Sequence, residues 1–247
     1  MERKLKWRLE SAGAEILYDD DDIIVLDKPA NFLVIPDRYR HHLPNLLSIL
    51  TEELGKIFVV HRLDKETSGV VLFAKTAEAH ASLNEQFEGR LVEKLYVGIT
   101  SGEVHDEHGR IDVPIAESHI PGVMRVDRKS GKESVTEYQM LERFHGYSFL
   151  EIRPRSGRTH QIRVHLKSIG APLVGDKIYG EGKPFFLSSV KPSYRPSGEE
   201  KPLLDRTALH AFAISFDHPR TGERSNHSAG LPKDMNSVLR YLRKFRG

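Results

Sequence analysis

The segment His61-Arg62-Leu63-Asp64-Lys65-Glu66-Thr67-Ser68-Gly69 places a guanidinium and a carboxylate two positions apart in a polar stretch. In an extended loop, side chains two apart fall on the same side, so Arg62 and Asp64 point together. A cation within roughly 4–6 Å keeps a carboxylate ionised, the state that a nucleophile or a base needs at neutral pH. Thr67 and Ser68 can tie their hydroxyls to loop backbone, and Gly69 permits a turn into whatever follows. A surface loop with an Arg–Asp pair of little energetic consequence accounts for the same residues.

A second cluster is Ser156-Gly157-Arg158-Thr159-His160-Gln161-Ile162-Arg163-Val164-His165. Its histidines do not make a metal site: on a helix, residues five apart lie about 140° round the axis. No glutamate stands at the spacing of a zinc hydrolase. Arginines that open a helix after a glycine turn suit a phosphate or carboxylate better. Around this cluster the chain carries Arg153, Arg155, Arg158, Arg163 and Lys167 against the single acid Glu151, and the C-terminus adds Arg240, Arg243, Lys244 and Arg246. Such clustering is the footprint of a phosphate-backbone binder, although a solvated basic face fits charge alone equally well. The four aspartates at 19–22 read as a turn rather than a metal site, because ligands that wrap one ion rarely come as consecutive residues.

These groups need elements to hold them. Residues 57–60 and 70–74 are β-prone and flank the first segment, so a rigid scaffold fixes its loop. Residues 15–18 and 23–27 read as two further strands, the second stopped at Lys28-Pro29. Residues 46–54 have helical periodicity and end at Gly55. Thr76 can cap a helix to about Gly89, with Ala79, Leu83 and Phe87 on its buried face. Along 95–100, Leu95, Val97 and Ile99 share one face and Lys94, Tyr96 and Gly98 the other; with the aliphatic face in the core, Tyr96 points into a cleft or solvent. Strands follow at 109–113, 134–143 and 147–153. Ser156 or Thr159 can open a helix with Ile162, Leu166 and Ile169 inward, Arg163 and Lys167 on another face, and Gly170 as its stop. Residues 181–206, rich in Pro, Ser, Gly and Lys, look like a long surface insertion. A strand at 208–216 and a basic helix at 233–245 complete the chain. Strands dominate and βαβ alternation is rare, which gives an α+β class with a mixed, mostly antiparallel sheet and flanking helices.

A chain of 247 residues without cysteine has no disulfide framework and no thiolate zinc site, and must rely on its core. The N-terminus lacks the apolar region of a secretory signal, and no run is long enough to span a bilayer; a cytoplasmic protein is expected. The net charge of +2 says little about partners, because the local clusters carry the signal.

Residues 61–69 resemble the HRLDxxTSG signature of the RluA-type pseudouridine synthases, with every defining position filled. Glu93-Lys94-Leu95-Tyr96 is similar to the family's K-x-Y strand, and Gly157 to His165 to its GRTHQIRxH segment. Leu173-Val174-Gly175-Asp176 and Leu209-His210-Ala211 match further landmarks in the expected order. The likeness runs from about residue 16 to residue 218, with 181–206 its least familiar part.

The resemblance implies the family's catalytic fold with a central cleft, and 1–247 as a single catalytic domain in which 1–14 is an N-terminal extension and 233–247 a basic C-terminal helix. It implies that Asp64 is the catalytic aspartate, attacking or deprotonating the target nucleotide while the glycosidic bond breaks and the uracil rotates. Arg163 would pair with Asp64, Tyr96 would pack on the uracil and assist proton removal at C5, and Arg62 would fill the space left by the flipped uridine. His61, Thr67, Arg155, Arg158, His160 and Lys167 complete the expected RNA-binding set. The implied partner is structured RNA, ribosomal or transfer, bound by a monomer. No cofactor or metal is implied, since remaking one bond within a nucleoside is redox-neutral. Too few residues precede the likeness for the S4-type RNA-binding domain that many relatives carry, so RNA contacts are expected from the catalytic domain itself. Two other readings remain: an RNA-binding module with an idle site, and a metal-independent phosphoesterase using His61 or His160. The filled positions at 61–69 weigh against the first, and the second would leave uridine as uridine.

Overall fold

A computed structural model describes residues 2–247. The chain divides into two compact units: the chain up to Lys94 with Ala211–Gly230, and Leu95–His210 with Leu231–Gly247.

The first unit begins with helix α1 (Glu2–Ser11), read from the sequence only as an extension. Its Leu5 and Leu9 are buried, and Arg8 holds Glu52 and Glu53 at 2.7 Å. Strands β1 (Glu15–Asp19) and β2 (Ile23–Lys28) form an antiparallel hairpin. Helix α2 (Leu46–Leu54) is capped by Asn45, whose side chain accepts the Ser48 N–H at 2.9 Å. Strand β3 (Phe58–Val59) and then β2 pair antiparallel with β4 (Ser68–Ala74). Every residue of β4 is buried, which explains its unbroken run of small and apolar side chains rather than an alternation. Thr76 caps helix α3 (Ala77–Glu88) by accepting the Ala79 N–H at 3.1 Å, and α3 lays Ala79 and Leu83 into a core with Val25, Leu72 and Phe216.

In the second unit, strand β5 (Glu93–Ser101, its first two residues in the first unit) pairs with β10 (Tyr147–Pro154); between them in sequence come β6 (His108–Asp112), β7 (Ile115–Glu117), β8 (Met124–Val126) and β9 (Val135–Phe144). β10 also pairs with β9, and β9 with β6, all antiparallel; β7 and β8 form a separate small hairpin that the sequence did not announce. Helix α4 (Gln161–Ser168) follows, with Ile162 and Leu166 packed on Leu150, Ile152 and Leu173.

The structure departs from the sequence expectation at three places. Neither Ser156 nor Thr159 caps α4: His160 stands at the N-cap in the left-handed region (φ 53°), and the Gln161 side chain accepts the Arg158 N–H at 3.0 Å and the Ser156 hydroxyl at 2.8 Å. Ile169 lies beyond the last turn and is 42% exposed, so it does not face inward. Strand β5 is covered on both faces: a Cβ at Gly98 would lie 2.8 Å from Leu173 Cδ2, and Tyr96, on the same side, is half-buried against the same cluster.

Residues 181–206 are not a free insertion. Phe185, Val190 and Leu204 are buried, Phe185 exchanges backbone hydrogen bonds with Leu203 and Leu204 at 2.8 Å, and its ring meets Tyr147 edge-on. At its end, the buried Arg206 guanidinium grips Asp234 at 2.7 and 2.9 Å. Strand β11 (Leu209–Asp217) carries the chain back into the first unit, where β12 (Arg224–Ser228) pairs with it. Helix α5 (Lys233–Phe245) buries Met235, Val238, Leu239 and Leu242 in the second unit.

The aspartate run forms a turn, as expected: Asp20 Oδ1 accepts the Asp22 and Ile23 N–H groups at 2.8 Å, Oδ2 lies 2.8 Å from His218 Nε2, and Asp22 is held by Arg220. No helix among the described residues is long and apolar enough to cross a membrane.

Candidate active site

On the first unit, the 61–67 loop joins β3 to β4 and is pinned along its length. Leu63 is buried as an apolar anchor. The Thr67 N–H donates to the Asp64 carbonyl at 3.1 Å, and Thr67 itself is buried, which gives this residue a loop-shaping place. The adjoining carbonyl, that of Lys65, accepts at 3.1 Å from Lys28 Nζ. Lys28 is fully buried at the end of β2, and its ammonium also donates to the Pro29 and Phe32 carbonyls, both at 2.8 Å. A buried lysine is tolerated only when its donors are satisfied, and these carbonyls satisfy them. Asp64 is half-buried and Arg62 exposed.

His61 is turned to the scaffold. Its Nε2 accepts the Leu72 N–H at 3.0 Å and its ring stacks on Phe87 at 5.2 Å. Burial, and then the charge of Lys94, push its pKa down to about 3, so the ring is neutral and can act as an acceptor. Burial likewise lowers Lys94 to about 8. Gly69 has φ 109°, and a Cβ there would lie 2.1 Å from the Ala211 carbonyl oxygen, so β11 can pass β4 only where no side chain intervenes.

On the second unit, Arg163 is 6% exposed rather than on a solvated helix face. Its Nε and Nη2 each donate to the Asp176 carboxylate at 2.8 Å, and the guanidinium lies 5.1 Å from the centre of the Tyr179 ring. Asp176 also accepts the Ile178 and Tyr179 N–H groups at 2.9 and 3.0 Å. Burial by itself would raise the Asp176 pKa, but Arg163 and these amides outweigh it and hold the carboxyl below its usual range. The Tyr179 hydroxyl accepts the Met124 N–H at 2.8 Å and meets His160 Nδ1 at the same distance.

The remaining cations of the expected RNA-binding set are partly committed. Arg155 pairs with Glu137 at 2.8–2.9 Å, and Arg153 with Glu151 at 2.7 Å. Arg158 is exposed, with Nε donating to the Glu133 carbonyl at 3.3 Å, and Lys167 sits 5.9 Å from the Tyr179 ring centre. Counting acids along the chain near Glu151 missed Glu137 and Asp176, which arrive from a neighbouring strand and a following turn. His165 is buried on Thr136 Oγ1 at 2.8 Å and the Val113 carbonyl at 3.0 Å, a packing role. Lys28, Asp176 and Tyr179 were not among the residues expected at the site; the available signals were a charged residue closing an apolar strand and a Gly-Asp step after a buried helix.

The first unit thus offers a carboxylate on a loop whose backbone is anchored, and the second a guanidinium locked by a buried aspartate: a general base or nucleophile and a fixed anion-recognising group. The sequence model described as RNA pseudouridylate synthase matches residues 22–168, which span parts of both units. A ribosomal large subunit pseudouridine synthase D of Pseudomonas aeruginosa is 35% identical over 251 residues, covering 98% of this chain and 75% of that one. An RNA pseudouridine synthase of Aquifex aeolicus is 38% identical over 247 residues, covering 94% and 74%. Among solved structures, human RNA pseudouridylate synthase domain containing 4 superposes with a TM-score of 0.73 at 25% identity, covering 98% of each chain. The chain belongs to the RNA pseudouridylate synthase family, of the RluA type. It is an enzyme of RNA pseudouridine synthesis, an isomerase that spans about three quarters of the length of those curated relatives.

Proposed function

We propose that this enzyme converts specific uridines of structured ribosomal or transfer RNA to pseudouridine, with Asp64 as the catalytic carboxylate. The observation that carries the assignment of Asp64 is its double backbone anchor, the Thr67 N–H on its own carbonyl and the Lys28 ammonium on the next. A group that must meet a flipped nucleotide gains from a backbone that does not move. The relative from Pseudomonas favours large-subunit ribosomal RNA as the substrate.

In this reading, the target nucleotide leaves its stack, because C1′ and C5 are otherwise unreachable. Asp64 supports cleavage of the C–N glycosidic bond, the uracil turns, C1′ bonds to C5, the C5 proton departs to a base, and N1 takes up a proton, so that no proton is gained or lost overall. Tyr96 packs on the uracil, Arg163 supplies the fixed positive charge near Asp64, and Arg62 takes the space that the base vacates. His61 and Thr67 shape the loop, and Arg155, Arg158, His160 and Lys167 face the RNA backbone. Residues 1–247 act as one catalytic domain and as a monomer. The reaction is redox-neutral and transfers nothing to or from a donor, so the proposal invokes no cofactor.

The test uses total RNA from cells that lack this protein, treated with the purified enzyme and mapped by carbodiimide-dependent stops. New stops that vanish with Asp64→Asn, while RNA binding persists, support the reading and name the substrate. Turnover retained by Asp64→Asn sinks the role of Asp64. A folded protein that binds RNA but modifies none would be an idle binding module.

A further inference from the structure

The segment Arg38-Tyr39-Arg40-His41-His42, at the tip of the loop between β2 and α2, is exposed at every residue, and Tyr39 is 81% exposed. Several arginines elsewhere in the molecule are tied to carboxylates, among them Arg8 to Glu53, Arg110 to Glu137 and Arg243 to Glu142. Arg38 and Arg40 make no salt bridge among the described residues, and the Arg38 guanidinium lies 5.8 Å from the centre of the Tyr39 ring.

The tip is held in shape. Asp37 Oδ1 accepts the Tyr39 and Arg40 N–H groups at 3.0 and 2.9 Å, and the Leu43 N–H donates to the Arg40 carbonyl at 3.1 Å. The base of the loop is fixed too: the Leu46 and Leu47 N–H groups donate to the Leu33 and Val34 carbonyls at 3.0 Å. A large aromatic ring left in water beside cations that make no salt bridge costs solubility without contributing to the core. Such a combination matches the way proteins hold unpaired nucleic acid, by stacking on aromatic faces and tracking phosphates with cations.

The same loop shares an anchor with the catalytic segment. Lys28 Nζ bonds the Phe32 carbonyl at the root of the loop and the Lys65 carbonyl beside Asp64. From Phe32 to Tyr39 the chain can extend by no more than roughly 25 Å, at about 3.6 Å per residue. A nucleotide stacked on Tyr39 therefore lies a few nucleotides from one engaged at Asp64.

We propose that this tip is a docking site for an unpaired stretch of the RNA substrate close to the target uridine. Tyr39 stacks one base, and Arg38 and Arg40 bind the adjoining phosphates. The inference rests on the RNA-modifying reading above.

The test measures binding of a fluorescein-labelled single-stranded oligouridylate of twelve nucleotides and of an RNA duplex of equal length, in parallel with total ribosomal RNA. Tyr39→Ala is expected to weaken single-strand binding at least fivefold, the low end of one base stack, and to leave the duplex within twofold. Tyr39→Phe should stay close to wild type, because stacking needs the ring and not the hydroxyl. Replacing Arg38 and Arg40 by Gln should lower the salt slope of single-strand binding by about 1.4, at roughly 0.7 per phosphate contact. All of these side chains are exposed, so the variants should keep the wild-type melting curve. Wild-type binding with both variants unchanged overturns the docking site and leaves the enzyme assignment standing. A wild-type protein that binds neither the single strand nor ribosomal RNA overturns the RNA-modifying reading itself.

Discussion

Arg163 and Asp176 meet edge to edge, Nε to Oδ2 and Nη2 to Oδ1, both at 2.8 Å, with the aspartate fully buried. A buried two-pronged pair fixes the plane of a guanidinium as well as its position. Removing one partner leaves an uncompensated charge, so Asp176→Ala should lower the unfolding free energy by about 3–5 kcal/mol and depress isomerisation. Arg163→Met with Asp176→Leu should regain most of that stability, since apolar side chains of similar volume can replace a buried pair. It should not regain activity. Urea unfolding and single-turnover pseudouridine assays on the two variants check this, and a double variant that is both stable and active would remove Arg163 from the chemistry.

Lys28 links the root of the loop after β2 to the 61–67 loop through the Pro29, Phe32 and Lys65 carbonyls. Lys28→Met keeps the chain length and removes the donors. Each orphaned carbonyl costs about 1–3 kcal/mol where water cannot reach it, so a drop in stability is expected. The turnover rate should fall more than the affinity for RNA, because the Asp64 backbone loses one of its two anchors. Equal losses in rate and affinity would point to general unfolding.

The basic helix α5 divides by partner. Arg243 is engaged by Glu142 at 2.6–2.7 Å, whereas Arg240 and Lys244 lie over the rings of Tyr241 and Phe245 at 4.8 and 5.6 Å. With α5 in the RNA path, Arg240→Gln with Lys244→Gln should weaken binding to all RNAs and lower the salt slope by about 1.8 for duplex regions. Arg243→Gln should have the smaller effect, since its charge is already offset. A salt titration of binding reads both; an unchanged slope in the double variant would place the RNA elsewhere.

His61 makes stability depend on pH. Its folded-state pKa of about 3 lies below the unfolded value of 6.5, so the unfolded chain takes up a proton that the folded chain refuses. The contribution is therefore fully present above pH 6.5 and is lost as pH falls towards 3, with a slope of about 1.4 kcal/mol per pH unit for one proton. His61→Gln, which still offers an acceptor to the Leu72 N–H, should flatten the stability profile in that window relative to wild type. Guanidinium unfolding at stepped pH would show it. Parallel profiles would mean that the ring is more accessible to protons than its packing against Phe87 implies.

The sequence alone determined what is local. Helix α3 with its Thr76 cap, α2 ending at Gly55, and the basic helix over Lys233–Phe245 were legible because caps and periodicity act within a few residues. The polar loop at 61–67 was legible because the β-prone runs that bound it, in β3 and β4, lie next to it in the chain. Packing alone decided the rest. Nothing near Arg163 in the chain marks Asp176 as its partner; the turn at Gly175 delivers it, where φ is 72° and a Cβ would lie 2.2 Å from the Arg206 carbonyl oxygen. Nothing in the polar run at 181–206 marks Phe185 and Leu204 as anchors until they meet the core. Lys28 reads as a strand terminator and becomes a buried strut only when β2 and β4 pair, setting Lys28 opposite Gly69. Charge along the chain is a sum over neighbours in sequence, whereas the field at a site is a sum over neighbours in space, and only folding converts the one into the other.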